Sequence, residues 1–148
     1  MPRIRAWAAA TLAAPPEKVY GILADYRGGH PAILPERWFR GLEVERGGTG
    51  AGTVIRFRIR LGGSTRTVRA EVTEPEPGRV LAETDLETGA VTSFTVDPLD
   101  RGRRSAVTIS TEWESPAPRA WIERLLAPPL LRRVYAEELR RLAEHAAR

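Results

Sequence analysis

The stretch that most constrains the fold is residues 38 to 114, where short alternating segments are separated by turn signals and no helical period is found. The segments read WFRGLEVE, TVIRFRIRL, STRTVRAEV, RVLAETDLE, AVTSFTVD and RSAVTISTEWE; between them lie GGTGAG, GG, EPEPG, TG and PLDRGR. Alternation of apolar and polar residues is the two-residue period of a strand, and short connections rich in Gly, Pro or Asp turn one strand back onto the next. The sequence therefore predicts six strands joined by hairpins as an antiparallel meander. In TVIRFRIRL, Ile55, Phe57, Ile59 and Leu61 share one face while Arg56, Arg58 and Arg60 share the other. One face is expected to be core and the other to meet water.

The period changes on both sides of this block. In RIRAWAAATL, residues 3 to 12, Ile4, Ala6, Ala8, Ala10 and Leu12 alternate with Arg3, Arg5 and Thr11, which predicts a first strand. APPEKVYGILADY then offers prolines at a helix entrance, an early Glu17, and Val19, Ile22, Leu23 and Tyr26 at spacings of three and four. DYRGGHPAILP ends that helix and leaves room for only a brief second one before Pro35. Beyond Pro116 and Pro118, Trp121, Ile122, Leu125, Leu126, Leu131, Val134, Tyr135, Glu138, Leu139 and Leu142 recur at helical spacing. Pro128 and Pro129 predict a kinked or two-part C-terminal helix, because each removes a backbone donor and crowds the preceding turn. No internal repeat or low-complexity linker divides the chain, so residues 1 to 148 are expected to form a single domain.

Composition narrows the function classes. The chain is 42% hydrophobic and 28% charged, and no apolar run approaches the roughly 18 residues of a membrane span, so no integral membrane association is expected. The N-terminus has too weak an apolar stretch for a signal peptide, and with no cysteine there is neither a disulfide framework nor a thiolate site; a cytoplasmic protein is the expectation. The net charge of +4 comes almost wholly from arginine, Lys18 being the single lysine, and acids are interspersed throughout, as in RGLEVERGG and EELRRLAEH. That distribution is not a phosphate-tracking surface, and no nucleic-acid partner is expected. His30 and His145 are the only histidines and lie far apart in sequence, so no metal-ligand cluster is expected. No Gly-x-Ser-x-Gly elbow is present, and nothing calls for a cofactor.

The order strand, two short helices, six antiparallel strands, long C-terminal helix resembles the helix-grip fold of the START-like (SRPBCC) superfamily, which includes polyketide cyclases and Bet v 1-like pollen-allergen proteins. ATLAAPPEKVYGILADY is similar to that superfamily's opening strand and Pro-Glu-x-Val-Tyr helix, VERGGTGAGTVIRFRI to its Gly-rich hairpin, and AEVTEPEPGRVLAET to the hairpin that follows. The resemblance covers the whole chain. It implies an α+β fold in which a curved antiparallel sheet of about seven strands wraps the long helix around a hydrophobic cavity. Members of the superfamily include ligand carriers, aromatase/cyclases and co-chaperones, so the fold alone does not choose among them.

Several residues are candidates for a site. His30 suits proton transfer, since imidazole exchanges protons near neutrality; equally, between Gly28, Gly29 and Pro31, it suits a side chain that satisfies the free carbonyls of a helix end, and the structural role is favoured. Glu83 and Asp85 share one face of a strand, but the alternate set Val80, Ala82, Thr84 and Leu86 is more apolar, which predicts that the carboxylates face solvent. Arg66 shares parity with Val68, Ala70 and Val72, which sets it toward the cavity or its rim, where a fixed cation would hold an oxygen anion; at a splayed strand end an arginine also snorkels to solvent, and that role is favoured. Tyr26, Trp38, Phe57, Ile59, Phe94, Trp113, Trp121 and Tyr135 are candidates for the cavity wall. Thr92, Phe94 and Val96 beside Val107, Ile109, Thr111 and Trp113 make an apolar face sprinkled with hydroxyls, suited to a pocket with a few polar anchors.

The sequence thus points to a protein that binds a hydrophobic or amphipathic small molecule, lipid or polyketide-like, between sheet and helix. Two alternatives stay open: a polyketide cyclase- or dehydratase-like enzyme using Arg66, Tyr26 or His30 on a carbonyl, and a co-chaperone or toxin-type interaction module. Polar groups converging in the cavity would favour the enzyme, and a filled cavity with an exposed apolar patch the interaction module. A homodimer is compatible with the sequence.

Overall fold

A computed structural model describes residues 3–61, 63–114 and 120–148, with the side chains of the last helix described from Ala127 onward. Strand β1 (Arg3–Leu12) is followed by helices α1 (Pro16–Ala24) and α2 (Gly29–Ile33). Strands β2 (Phe39–Arg46), β3 (Val54–Leu61), β4 (Ser64–Glu76), β5 (Val80–Asp85), β6 (Val91–Leu99) and β7 (Arg104–Glu114) come next, and helix α3 (Ala120–Ala146) ends the chain. The strands form one curved antiparallel sheet in the order β1-β7-β6-β5-β4-β3-β2, the helix-grip arrangement. The meander runs from β2 to β7, and β1 joins it beside β7, Arg3 opposite Glu114 and Leu12 opposite Ser105.

The residues of β1 explain where α3 sits. Ile4, Ala6, Ala8 and Leu12 are buried while Arg3, Arg5, Trp7 and Thr11 are exposed, so the inward row of this strand is largely alanine. Side chains this small leave the backbone of a helix free to come close, and α3 makes its close backbone approach to β1, α1 and α2. Val134, Leu139 and Leu142 of α3 are buried there with Val19 and Leu23 of α1 and Ile33 of α2. One helical run crosses Pro128 and Pro129, so of the kinked or two-part helix that these prolines predict, the two-part form is not the one adopted. Burial of Leu131, Val134 and Tyr135 immediately beyond the prolines supplies a tertiary reason for the helix to continue through two missing donors.

The junction between α1 and α2 is a tight structure built on Asp25. Its carboxylate accepts hydrogen bonds from the backbone amides of Arg27, Gly28 and Gly29 at 3.2, 3.1 and 3.1 Å. The Gly29 amide above all holds the Asp25 carboxyl below its ordinary value. A side chain at Gly29 would place its Cβ 2.6 Å from the Ile22 carbonyl oxygen and 2.9 Å from the Ile22 Cα, so α2 can begin here only on a glycine. At Gly21, exposed on α1, a Cβ would meet nothing within 4 Å.

Gly29→Ala is expected to destabilise the protein by about 1–3 kcal/mol, because the obstructing atoms are backbone. Gly21→Ala should instead stabilise it by about 0.5–1 kcal/mol through the lower backbone entropy of alanine in a helix. The two urea-unfolding midpoints, measured against the wild type, should therefore move in opposite directions; equal shifts would refute the close-packed junction.

Candidate functional site

The sheet and α3 enclose a cavity of about 560 Å³, lined from β2 to β7, α2 and α3 and by no residue of β1. Its walls are Phe39 and Leu42 of β2, the inward row Ile55, Phe57, Ile59 and Leu61 of β3, Val68 and Ala70 of β4, and Phe94 and Trp113. Helix α3 contributes Ala127, Leu131, Tyr135 and Glu138, residues spaced to share one stripe. Val134, Leu139 and Leu142 of the same helix are committed to the core.

Polar groups gather where the walls of β5, α2 and α3 meet. Leu81, Glu83 and Asp85 form the inward row of β5, so the expectation that both carboxylates face solvent is corrected. The alternation misleads because this strand is covered on both faces: Leu81 is fully buried and Ala82 only 4% exposed, while Leu86, counted with the inward set, lies beyond the strand and is half exposed. The Tyr26 hydroxyl donates to Glu83 Oε2 at 2.6 Å, and His30 Nε2 faces the same oxygen at 3.4 Å. His30 Nδ1 lies 2.7 Å from the Leu23 carbonyl oxygen. A carbonyl only accepts, so Nδ1 carries a hydrogen, and a second ring proton would sit between Nε2 and Glu83. His30 therefore does satisfy an end carbonyl of α1, and the same contact aims its other nitrogen at the cavity carboxylate. Its ring stacks on Tyr26, centroids 4.5 Å apart, and meets the edge of Phe94 at 5.3 Å.

Glu138 faces this group from α3. It is 2% exposed, lines the cavity, and among the described residues no side-chain or backbone group hydrogen-bonds its carboxyl. Burial, reinforced by the nearby Glu83, pushes the Glu138 carboxyl well above the ordinary glutamic acid range. Burial and then Glu83 likewise raise the Tyr26 phenol. One turn back on α3, the Tyr135 hydroxyl hydrogen-bonds Thr111 Oγ1, which meets Thr92 Oγ1 at 2.7 Å. This hydroxyl chain crosses the cavity wall from helix to β7 and β6.

Arg66 lines the cavity, as its parity indicated, and Nη2 contacts Asp85 Oδ2 at 2.6 Å. Burial pushes the Asp85 carboxyl up, but the hydrogen bonds from Arg66 and from the amides of Glu87 and Thr88 outweigh it and leave the group below its ordinary value. Arg66 is thus already paired, its side chain 41% exposed.

The structure brings His30, Phe57, Ile59, Arg66, Phe94, Trp113 and Tyr135 together around the cavity. Two candidates are corrected. Trp38 precedes β2 and packs on the outer part of the core with the Arg37 guanidinium 4.6 Å over its ring, leaving the wall position to Phe39. Tyr26 is fully buried behind the wall and reaches the site through Glu83 and through the His30 ring stacked on it. The side chain of Trp121 lies outside the described residues. Glu138 was absent from the candidates although its signal was present: a carboxylate standing in the apolar stripe of the last helix. Among the described residues no group of three or more acidic, His or Cys side chains is arranged to hold a metal ion, and no helix is long and apolar enough to cross a membrane.

A family described as "Polyketide cyclase / dehydrase and lipid transport" matches residues 3–147. No curated protein sequence matches the chain. Among solved structures, the KanY protein is similar over 100% of both chains, with 29% identity and a TM-score of 0.86. The Zhui aromatase/cyclase from Streptomyces sp. R1128 is similar over 99% of this chain and 95% of its own, with 21% identity and a TM-score of 0.80. TTHA0849 from Thermus thermophilus shares 22% identity over 99% of this chain and 97% of its own, with a TM-score of 0.77.

A carboxyl that keeps its proton in the fold but ionises in the unfolded chain gives the folded state the greater number of bound protons. Stability then falls as pH rises above the ordinary glutamic acid value of 4.5 toward the raised folded value. Glu138→Gln, which has no proton to lose, should therefore gain stability relative to the wild type as pH rises above about 5. Urea midpoints of the two proteins read this directly; a difference that does not change with pH would mean that Glu138 is ionised in the fold.

Proposed function

This chain belongs to the polyketide cyclase / dehydrase and lipid transport family, within the START-like superfamily, and from that premise we propose that it binds a hydrophobic or amphipathic small molecule in the cavity between sheet and α3. The observation that carries this function is the cavity of about 560 Å³, walled by the aromatic and aliphatic inward rows of β2, β3 and β6. A volume of this size is in the range of sites for small organic ligands, roughly 300–1,000 Å³. It leaves little support for an interaction module, which calls for a filled cavity. The large hydrophobics exposed among the described residues, Trp7 and Leu86, sit on different strands or their ends and make no patch that such a module would use.

A second reading, acid-base catalysis on a carbonyl-bearing chain, is favoured by one specific feature. His30 Nε2 and Glu83 Oε2 share a position on the cavity wall, with the imidazole held by Leu23 and the carboxylate by Tyr26. Such an orienting pair is what a general base requires. The Zhui aromatase/cyclase provides the precedent for chemistry of this class in this fold.

An environment-sensitive hydrophobic dye should bind saturably and be displaced by polyaromatic compounds. Ala127→Trp, which places a large ring from half-buried α3 into the cavity, should weaken dye binding by about tenfold or more without abolishing cooperative unfolding. Undiminished binding would place the dye elsewhere. For the second reading, His30→Gln should abolish any turnover of a poly-β-ketone substrate while dye binding persists; turnover that survives the substitution would remove His30 from the chemistry.

A further inference from the structure

The cavity has a charge opposite to that of the protein that contains it. The chain carries a net +4. Yet the cavity lining among the described residues includes four carboxyl groups, Glu83, Asp85, Glu114 and Glu138, against one guanidinium, Arg66. These groups are not equivalent. Asp85 is neutralised by Arg66 at 2.6 Å. Glu83 is held by the Tyr26 hydroxyl and by His30. Glu138 alone is both 2% exposed and without a hydrogen-bonding partner among the described residues, and it lines the cavity where the polar groups of β5, α2 and α3 meet. A buried carboxyl in that state is costly unless something bonds to it.

Around Glu138 stand Glu83 from β5, Tyr26 from the α1–α2 junction and Tyr135 from α3 itself, with His30 of α2 committed to Glu83. None of these is a free cation that could serve Glu138. A ligand that enters the cavity is placed to supply the partner that Glu138 lacks among the described residues.

Resting on the binding function proposed above, we infer that the ligand is a hydrophobic amine, inserted with its ammonium group between Glu138 and Glu83 and its apolar body along the β3 wall. Carboxylic acids are disfavoured at this end of the cavity, since they would bring a third acidic group to two that already adjoin. Alcohols and ketones fit the walls and can accept a hydrogen bond from a protonated Glu138, but neither supplies the counter-charge that would let that carboxyl ionise beside Glu83. Binding balances as an exchange: a protonated amine enters, Glu138 gives up its carboxyl proton to solvent, and an ammonium–carboxylate pair replaces the neutral acid.

Decylamine, decanol, 2-decanone and decanoic acid differ only at the head group and separate these cases. Affinities measured by dye displacement near pH 7.5 should place decylamine about tenfold or more tighter than decanol and 2-decanone, with decanoic acid weakest. Titration calorimetry of the wild type in buffers of different ionisation enthalpy should show about one proton released for each decylamine bound and none for decanol. In Glu138→Gln the proton release should vanish and the amine-to-alcohol ratio should fall to within about threefold. Tighter binding of the ketone or the acid, or an amine preference without proton release in the wild type, overturns the head-group assignment while leaving the cavity function intact. Failure of all four compounds to bind overturns both.

Discussion

The seating of α3 on the alanine row of β1 governs the rest of the molecule. Because Ala6 and Ala8 give the helix a close approach along one edge of the sheet, its buried stripe is satisfied by β1, α1 and α2. The other strands curve away from the helix, joined to it by the Tyr135–Thr111 hydrogen bond, and the cavity is the space left between them. Larger residues on β1 would lift the helix and open that side to solvent; a filled inward row on β3 and β4 would close the cavity. The division of labour is visible in the lining, which draws on six strands and omits the one that carries the helix.

The same arrangement brings the polar groups together. Helix α1 ends against the sheet, and the Asp25 turn that starts α2 on Gly29 delivers His30 to a fully enclosed position. Leu23 fixes one face of that imidazole and Glu83 meets the other, so a helix terminus and a cavity wall are held by one side chain. Buried polar groups of this kind are tolerable only where each finds a partner, and here Tyr26 and the Thr92, Thr111 and Tyr135 hydroxyls supply most of them. Glu138 is the exception, and burial, with Glu83 nearby, pushes its carboxyl well above the ordinary glutamic acid range.

The strand pattern was legible in the sequence wherever one face of a strand meets water. β3 and β1 alternate cleanly, and their inward rows are those the periodicity predicts. β5 was not legible in the same way: with neighbours on both sides and burial on both faces, its apolar residues occur at both parities, so the inward Glu83 and Asp85 could not be told from solvated ones. The wall position of Phe39 instead of Trp38 turns on where β2 begins, a shift of one residue that reverses which side chain faces in. The course of α3 through Pro128 and Pro129 was hidden because local propensity argues against it and tertiary burial decides otherwise. His30 was read correctly as a helix-end ligand, but nothing in one sequence could reveal that its second nitrogen would find Glu83, a residue on the far side of three hairpins.

The pairing of β1 with β7 also sets a timetable for biosynthesis. Arg3 lies opposite Glu114 and Leu12 opposite Ser105, so β1 leaves the ribosome well before its sheet partner β7, and α3 is later still. The meander of β2 to β7 can assemble from neighbour to neighbour while β1 waits, and distant pairings of this kind slow the search for the native topology. During that interval the alanine-rich segment is an unpaired strand, and the arginines at positions 3 and 5 give it the charge that discourages edge-to-edge association with other nascent chains.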